Sequence, residues 1–164
     1  MASYVENKLT IKCKDKNQKE KIKKVIFKYN DKNEPVFTMA KLLPRPEGFD
    51  ENPTYTEIGY HWSCAVWGTK WDAKYSKSIE SGNTIGITYR TAWNPNQPWV
   101  WTLCEFIKAI SFSLDKQEFD DVTVTYFCFD EYEDFGDLMT WKFIDNSYDI
   151  KKDIKVSDQI PEWF

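Results

Sequence analysis

The sequence predicts an α+β domain: a ferredoxin-like, split βαβ sandwich. In it, two helices cover one face of a mainly antiparallel sheet, and a Trp-rich insert stands between the second and third core strands. Three observations lead there. Apolar residues alternate with polar ones over Asn7–Cys13, Asn83–Thr91 and Asp121–Phe129, the two-residue period of strands. Apolar residues three or four apart mark helices over Asp15–Tyr29 and Trp99–Phe112. About forty residues, 41–82, separate the two halves, and a compact domain does not often place so long a segment between neighbouring strands.

The elements follow in chain order. Leu9, Ile11 and Cys13 share one face of the first strand, and Lys8, Thr10 and Lys12 the other. Ile22, Val25, Ile26 and Tyr29 form the apolar stripe of the first helix, with Asp15 as its N-cap and lysines on the far side. Glu34-Pro35 breaks that helix, and Val36–Ala40 reads as the second strand. Leu42–Gly48, with two prolines, ends regular structure, and a polar loop runs to about Gly59. Tyr60–Trp67 reads as a short strand and Ser76–Asn83 as a turn region. Ile85, Ile87 and Tyr89 give the next strand. Asn94–Pro98 starts the second helix, with Pro98 near the first turn, where its missing N–H costs nothing; Leu103, Phe106, Ile107 and Ile110 line its buried side. Asp121–Phe129 and Leu138–Ile144 are the last strands, joined by the acidic Asp130–Asp137 connection. The domain is placed at 1–145, and 146–164 is a charged tail, docked or partly disordered.

Composition narrows the function. The chain has 164 residues, which suits one domain, and its 41% apolar content is enough for a core. Aromatics reach 17%, a large amount of rigid ring surface. No apolar run approaches the roughly 20 residues that span a bilayer, and Met1-Ala2-Ser3-Tyr4 does not start a signal peptide. A cytoplasmic protein without a membrane partner is expected. Net charge is −4, which argues against general nucleic-acid binding, but its distribution is uneven. Residues 1–32 carry ten lysines against four acids, and residues 115–137 nine acids against one lysine. The bland reading is two solvated surfaces; the sharper one is a polar molecule that shows opposite charge to partners.

Cys13, Cys64, Cys104 and Cys128 contain no CxxC pair, and His61 is the one histidine, so no metal and no cofactor is expected and the thiols read as buried and free. Enzyme chemistry has little support: no Ser or Cys nucleophile sits in a recognisable motif, and no phosphate-binding loop is present. Asp130–Gly136 shares only acidity with a calcium loop.

Trp67-Gly68-Thr69-Lys70-Trp71-Asp72-Ala73 is followed about twenty residues later by Thr91-Ala92-Trp93-Asn94-Pro95, and preceded by Asn7-Lys8-Leu9-Thr10-Ile11 and Leu43-Pro44-Arg45-Pro46. With these motifs the chain resembles, over most of residues 5–145, the YubB ferredoxin-like domain family of phages, conjugative plasmids and related mobile elements. Val66 departs from the pattern, which has Asn before the first Trp. The resemblance implies fold and genetic context and carries no activity.

The candidate site is therefore Trp67, Lys70, Trp71, Asp72, Trp93, Asn94 and Trp99. One reading is a packed loop: indoles close the core, Lys70 lies over an indole, and Asp72 caps the next turn. A second is an amphipathic pocket with indole walls, Lys70 as anion contact, Asp72 as acceptor, and Trp93, Asn94 and Trp99 at a helix N-terminus. A third is a protein–protein hot spot. A separate surface is the sheet face away from the helices, where Lys8, Thr10 and Lys12 stand beside Thr123, Thr125, Phe127 and Phe129. Lysines beside aromatics on an open sheet bind single-stranded RNA elsewhere. The competing expectation is that the insert folds over this face and buries Phe127 and Phe129 against its tryptophans. The leading expectation is a non-catalytic accessory module of a mobile element with a protein partner. A nucleic-acid or nucleotide binder is the alternative, and a small enzyme the third.

Overall fold

The computed structural model describes residues 3–51, 53–112, 122–130, 132–143 and 146–156. It is a mixed α+β structure with a six-stranded antiparallel sheet and three helices. The strand order is β4 (Lys74–Ser81), β5 (Thr84–Ala92), β1 (Tyr4–Lys12), β6 (Thr123–Asp130), β7 (Phe135–Lys142), β8 (Ser147–Lys155). The sequence-predicted strand ends at Asp121 and Ile144, the acidic stretch 115–121 and the tail beyond Val156 lie outside the described residues.

β1 is central because its alternation is the cleanest. Leu9 pairs with Ile87 on β5 and Tyr126 on β6, and Ile11 with Ile85 and Val124, so one face of three strands is continuously apolar. Helix α1 (Lys16–Ile26) and helix α3 (Gln97–Phe112) both bury residues in this one cluster, through Ile22 and Ile26 and through Leu103, Cys104 and Ile107. Each such side chain contributes on the order of 1.5–3 kcal/mol by leaving water.

α1 starts as expected: Asp15 accepts from the Gln18 N–H at 2.8 Å. It stops at Ile26 rather than Tyr29, because Phe27–Tyr29 (β2) pairs with Pro35–Phe37 (β3) in a separate two-stranded sheet. This corrects the reading of Val36–Ala40 as the second strand of the main sheet. That place belongs to β4, which was read as a turn. β4 is an edge strand, so it needs little apolar surface, and its sequence is mostly Lys, Ser and Glu with Tyr75 and Ile79. Its Glu80 receives Lys19 and Lys23 of α1, both at 2.8 Å, which fastens the helix over the sheet edge. Tyr60–Trp67 is not a strand but part of helix α2 (Ile58–Val66), with Gly59 and Ser63, four apart, facing inward. The segment 41–82 is thus more regular than expected, holding α2 and β4.

A polar knot runs through the core. Asn7, 2% exposed, donates to Val5 O and to Thr91 Oγ1 at 2.9 and 3.0 Å, and accepts from the Tyr126 hydroxyl at 2.5 Å. Tyr89 donates to Asn96 Oδ1 at 2.9 Å, just before α3. Every polar group here has a partner, so the knot fixes β1, β5, β6 and the start of α3 in one register.

All four cysteines are free, with Cys13 and Cys104 buried. Burial pushes both thiols up to about 12. At pH 8 only about one molecule in ten thousand carries either thiolate, which is the reactive form. Titration of the native protein with a thiol reagent at pH 8 should leave Cys13 and Cys104 unmodified, and denaturation should release both. Rapid labelling of either in the native state, located by peptide mapping, would contradict this core.

Candidate functional site

The site is organised by a short 3-10 turn, Met39–Lys41. So short a turn leaves most of its backbone groups without intrahelical partners. The tryptophan motifs supply them. The Asp72 carboxylate accepts from the Thr38 hydroxyl at 2.5 Å, from Met39 N at 2.7 Å and from Ala40 N at 3.3 Å, besides its own neighbour Ala73 N at 2.7 Å. Trp99 Nε1 adds a further donor to Met39 O, which already accepts from Leu42 N and Leu43 N, and Trp67 Nε1 donates to Leu43 O just past the turn, both indole bonds at 3.0 Å. Asp72 therefore caps a turn, but one that precedes it by more than thirty residues.

The first motif is locked to the start of α3. Gly68 has φ +83°, a left-handed backbone, and a Cβ there would lie 2.6 Å from Pro98 Cδ and 2.9 Å from Pro95 O. Both the angle and the approach require glycine. Thr69, fully buried, donates to Ala92 O and accepts from Ala92 N, each at 3.0 Å. The two motifs are thereby one structural unit.

What remains is the row of rings and cations on its outside. Lys70 Nζ lies 5.2 Å from the Trp71 ring and 5.1 Å from the Trp93 ring, and Lys74 Nζ 4.4 Å from Trp71. Trp93 is 44% exposed and sits at φ +62°, an unusual angle for so bulky a residue. Its backbone N–H donates to Ser3 O. Trp67 stands apart from this row: it is buried edge-on to Trp62, with the Arg45 guanidinium 5.0 Å from its ring.

Trp67, Trp71 and Asp72 line a cleft of about 770 Å³ between β2, the 3-10 turn and the loop 45–51. Of the seven candidate residues, the structure brings these three to the cleft and sets Lys70 and Trp93 behind Trp71. Trp99 is fully buried beneath the turn, and Asn94 is an exposed turn residue whose carbonyl accepts from Thr91 Oγ1 at 2.8 Å. Sequence reasoning missed Arg45 and Lys74, which flank the indoles, and Arg90, which lies between Tyr4 and Tyr75 at 5.6 and 5.7 Å. Only the position of Arg45 inside the Leu43–Pro46 motif hinted at any of these.

The sheet face away from α1 and α3 carries Lys8, Lys12, Lys77, Arg90, Lys142 and Lys151 against Glu6 and Asp149, by strand register. Arg90 pairs with Glu6 at 2.5 Å and Lys151 with Asp149 at 4.0 Å. The expectation that insert tryptophans bury Phe127 and Phe129 fails. Phe127 is buried, but against Phe129 (ring centroids 5.6 Å apart) and over Gly136, while Trp62 and Trp67 pack on the helix-side core.

The capping geometry sets a ranking of substitutions. Asp72→Ala should cost about 2–4 kcal/mol in denaturant unfolding, since it strips several charge-assisted hydrogen bonds from one turn. Lys70→Ala should cost less than about 1 kcal/mol, the usual worth of a surface cation–π contact. Equal costs would contradict the division of labour between the two residues.

Among protein-family models, curated proteins and solved structures, the chain finds no match.

Proposed function

We propose that this chain is a non-catalytic binding module that takes a partner or ligand in the cleft beside Trp71, and that it serves as an accessory protein of a phage, plasmid or integrated mobile element. The observation that carries the binding reading is the split within the motif. Trp67, Asp72 and Trp99 spend their polar groups on the 3-10 turn and its flanking residues Thr38 and Leu43, whereas Trp71 borders open space. Asp72 already has four donors, so it is a poor general base, which favours binding over chemistry. The strand order β4-β5-β1-β6, with α1 and α3 as its crossovers, supports the ferredoxin-like reading, with β7 and β8 added at one side. The mobile-element context rests on the resemblance to the YubB family.

A second reading is single-stranded nucleic acid on the open sheet face, favoured by cations that outnumber acids there in a chain of net charge −4. Against it, Phe127 is only 3% exposed and offers no stacking surface.

Affinity capture with immobilised wild type, Trp71→Ala and Lys12→Ala separates them. The cleft reading expects a specific partner from the native host that Trp71→Ala loses and Lys12→Ala keeps. Salt-sensitive retention on single-stranded nucleic acid, lost in Lys12→Ala and kept in Trp71→Ala, would instead establish the second.

A further inference from the structure

Two buried donors on residues that line the cleft have no acceptor. Trp71 Nε1 and Arg45 Nε are both removed from solvent, and neither makes a hydrogen bond. Both residues line the same cleft. A buried donor left without a hydrogen bond is costly, more so when the group is charged, so two on residues of one cleft demand a reason. The indole and the guanidinium are donors only, so the missing partner must be an acceptor.

The surroundings select its charge. Lys28, Lys41 and Lys74 line the cleft with Arg45. Lys28 and Lys41 are solvent-exposed, as are Glu47 and Glu51, and Asp72 is saturated by the turn and its own neighbour, so the half-buried Arg45 and Lys74 set the charge of the inner wall. Arg45 is held in place from both sides: its Nη1 donates to Asp50 O, and its plane lies over Trp67. Trp71 is fixed by Lys70 and Lys74 on its ring. Both side chains are thus held at the cleft before any ligand arrives, and an oxyanion reaches the two covered donor atoms by displacing a neighbour. The cleft, at about 770 Å³, is far larger than a single ion and matches the usual size of ligand pockets.

We propose that the cleft is an oxyanion-binding site, in which a carboxylate or phosphoryl group of a larger ligand accepts hydrogen bonds from Trp71 Nε1 and Arg45 Nε. This rests on the cleft reading above and names the chemistry that the cleft selects.

The test is thermal melting of the full chain at constant ionic strength, with chloride replaced stepwise by inorganic phosphate in one series and by acetate in another. A saturable rise in Tm with at least one anion is expected. Phosphate alone assigns a phosphoryl group, and acetate as well assigns a carboxylate. Trp71→Phe keeps the ring and removes the donor, so it should fold and weaken the fitted affinity roughly tenfold or more. Arg45→Lys, which keeps the charge and removes Nε, should do the same. Lys151→Ala, on the opposite edge strand, should leave the effect intact. No rise with either anion in the wild type, or a rise that both cleft variants retain, would overturn the proposal. If anions have no effect while Trp71→Ala still loses its captured partner, the oxyanion site fails and the cleft reading stands. An anion effect with capture unchanged in Trp71→Ala would keep the oxyanion site and refute the cleft as the partner surface.

Discussion

One carboxylate fixes the arrangement of the whole site. The turn at Met39–Lys41 is too short to satisfy its own backbone, and it sits where β3, α3 and the tryptophan loop converge. Asp72 takes the Met39 amide and shares the Ala40 amide with Thr38 Oγ1, while the Trp99 indole donates to Met39 O and the Trp67 indole to Leu43 O just past the turn. In a partly buried setting such charge-assisted bonds are about twice as strong as neutral ones. A turn capped from two distant segments cannot move without both of them. Beside the helix-side core, the tryptophan loop is therefore fastened at this turn.

The cleft is a consequence of that fastening. Because Asp72 is drawn to the turn, its neighbour Trp71 is held beside β2 with cations on its ring. Gly68 passes within contact of Pro95 and Pro98, which pins the loop to the start of α3. Rigid walls and unspent donors are what a binding site needs, and here they arise from requirements of folding.

Part of this was legible in the sequence. The alternation of Leu9 and Ile11 marked the central strand, and Asp15 marked the start of α1. Lys70 over an indole was foreseen, and Asp72 as a cap, though of the next turn rather than of one more than thirty residues earlier. What was hidden depended on distant partners. β4 is mostly polar because it is an edge, so it carried little apolar signal. α2 is a short aromatic run, in which helix and strand periods are indistinguishable over so few residues. Phe27–Tyr29 continues the helical stripe in sequence, yet pairing with Pro35–Phe37 overrides it. The orphan donors at Arg45 and Trp71 are invisible to any pattern, since only coordinates show which polar groups lack partners.

The central claim is that one turn couples Asp72 to both buried indoles, and indole N–H exchange measured by NMR tests it directly. The Nε1 protons of Trp67 and Trp99 should exchange slowly in the wild type. In Asp72→Asn, both should accelerate together, although neither indole touches residue 72 through that proton. Unchanged protection of both indoles in Asp72→Asn would contradict the coupling, and with it the origin of the cleft.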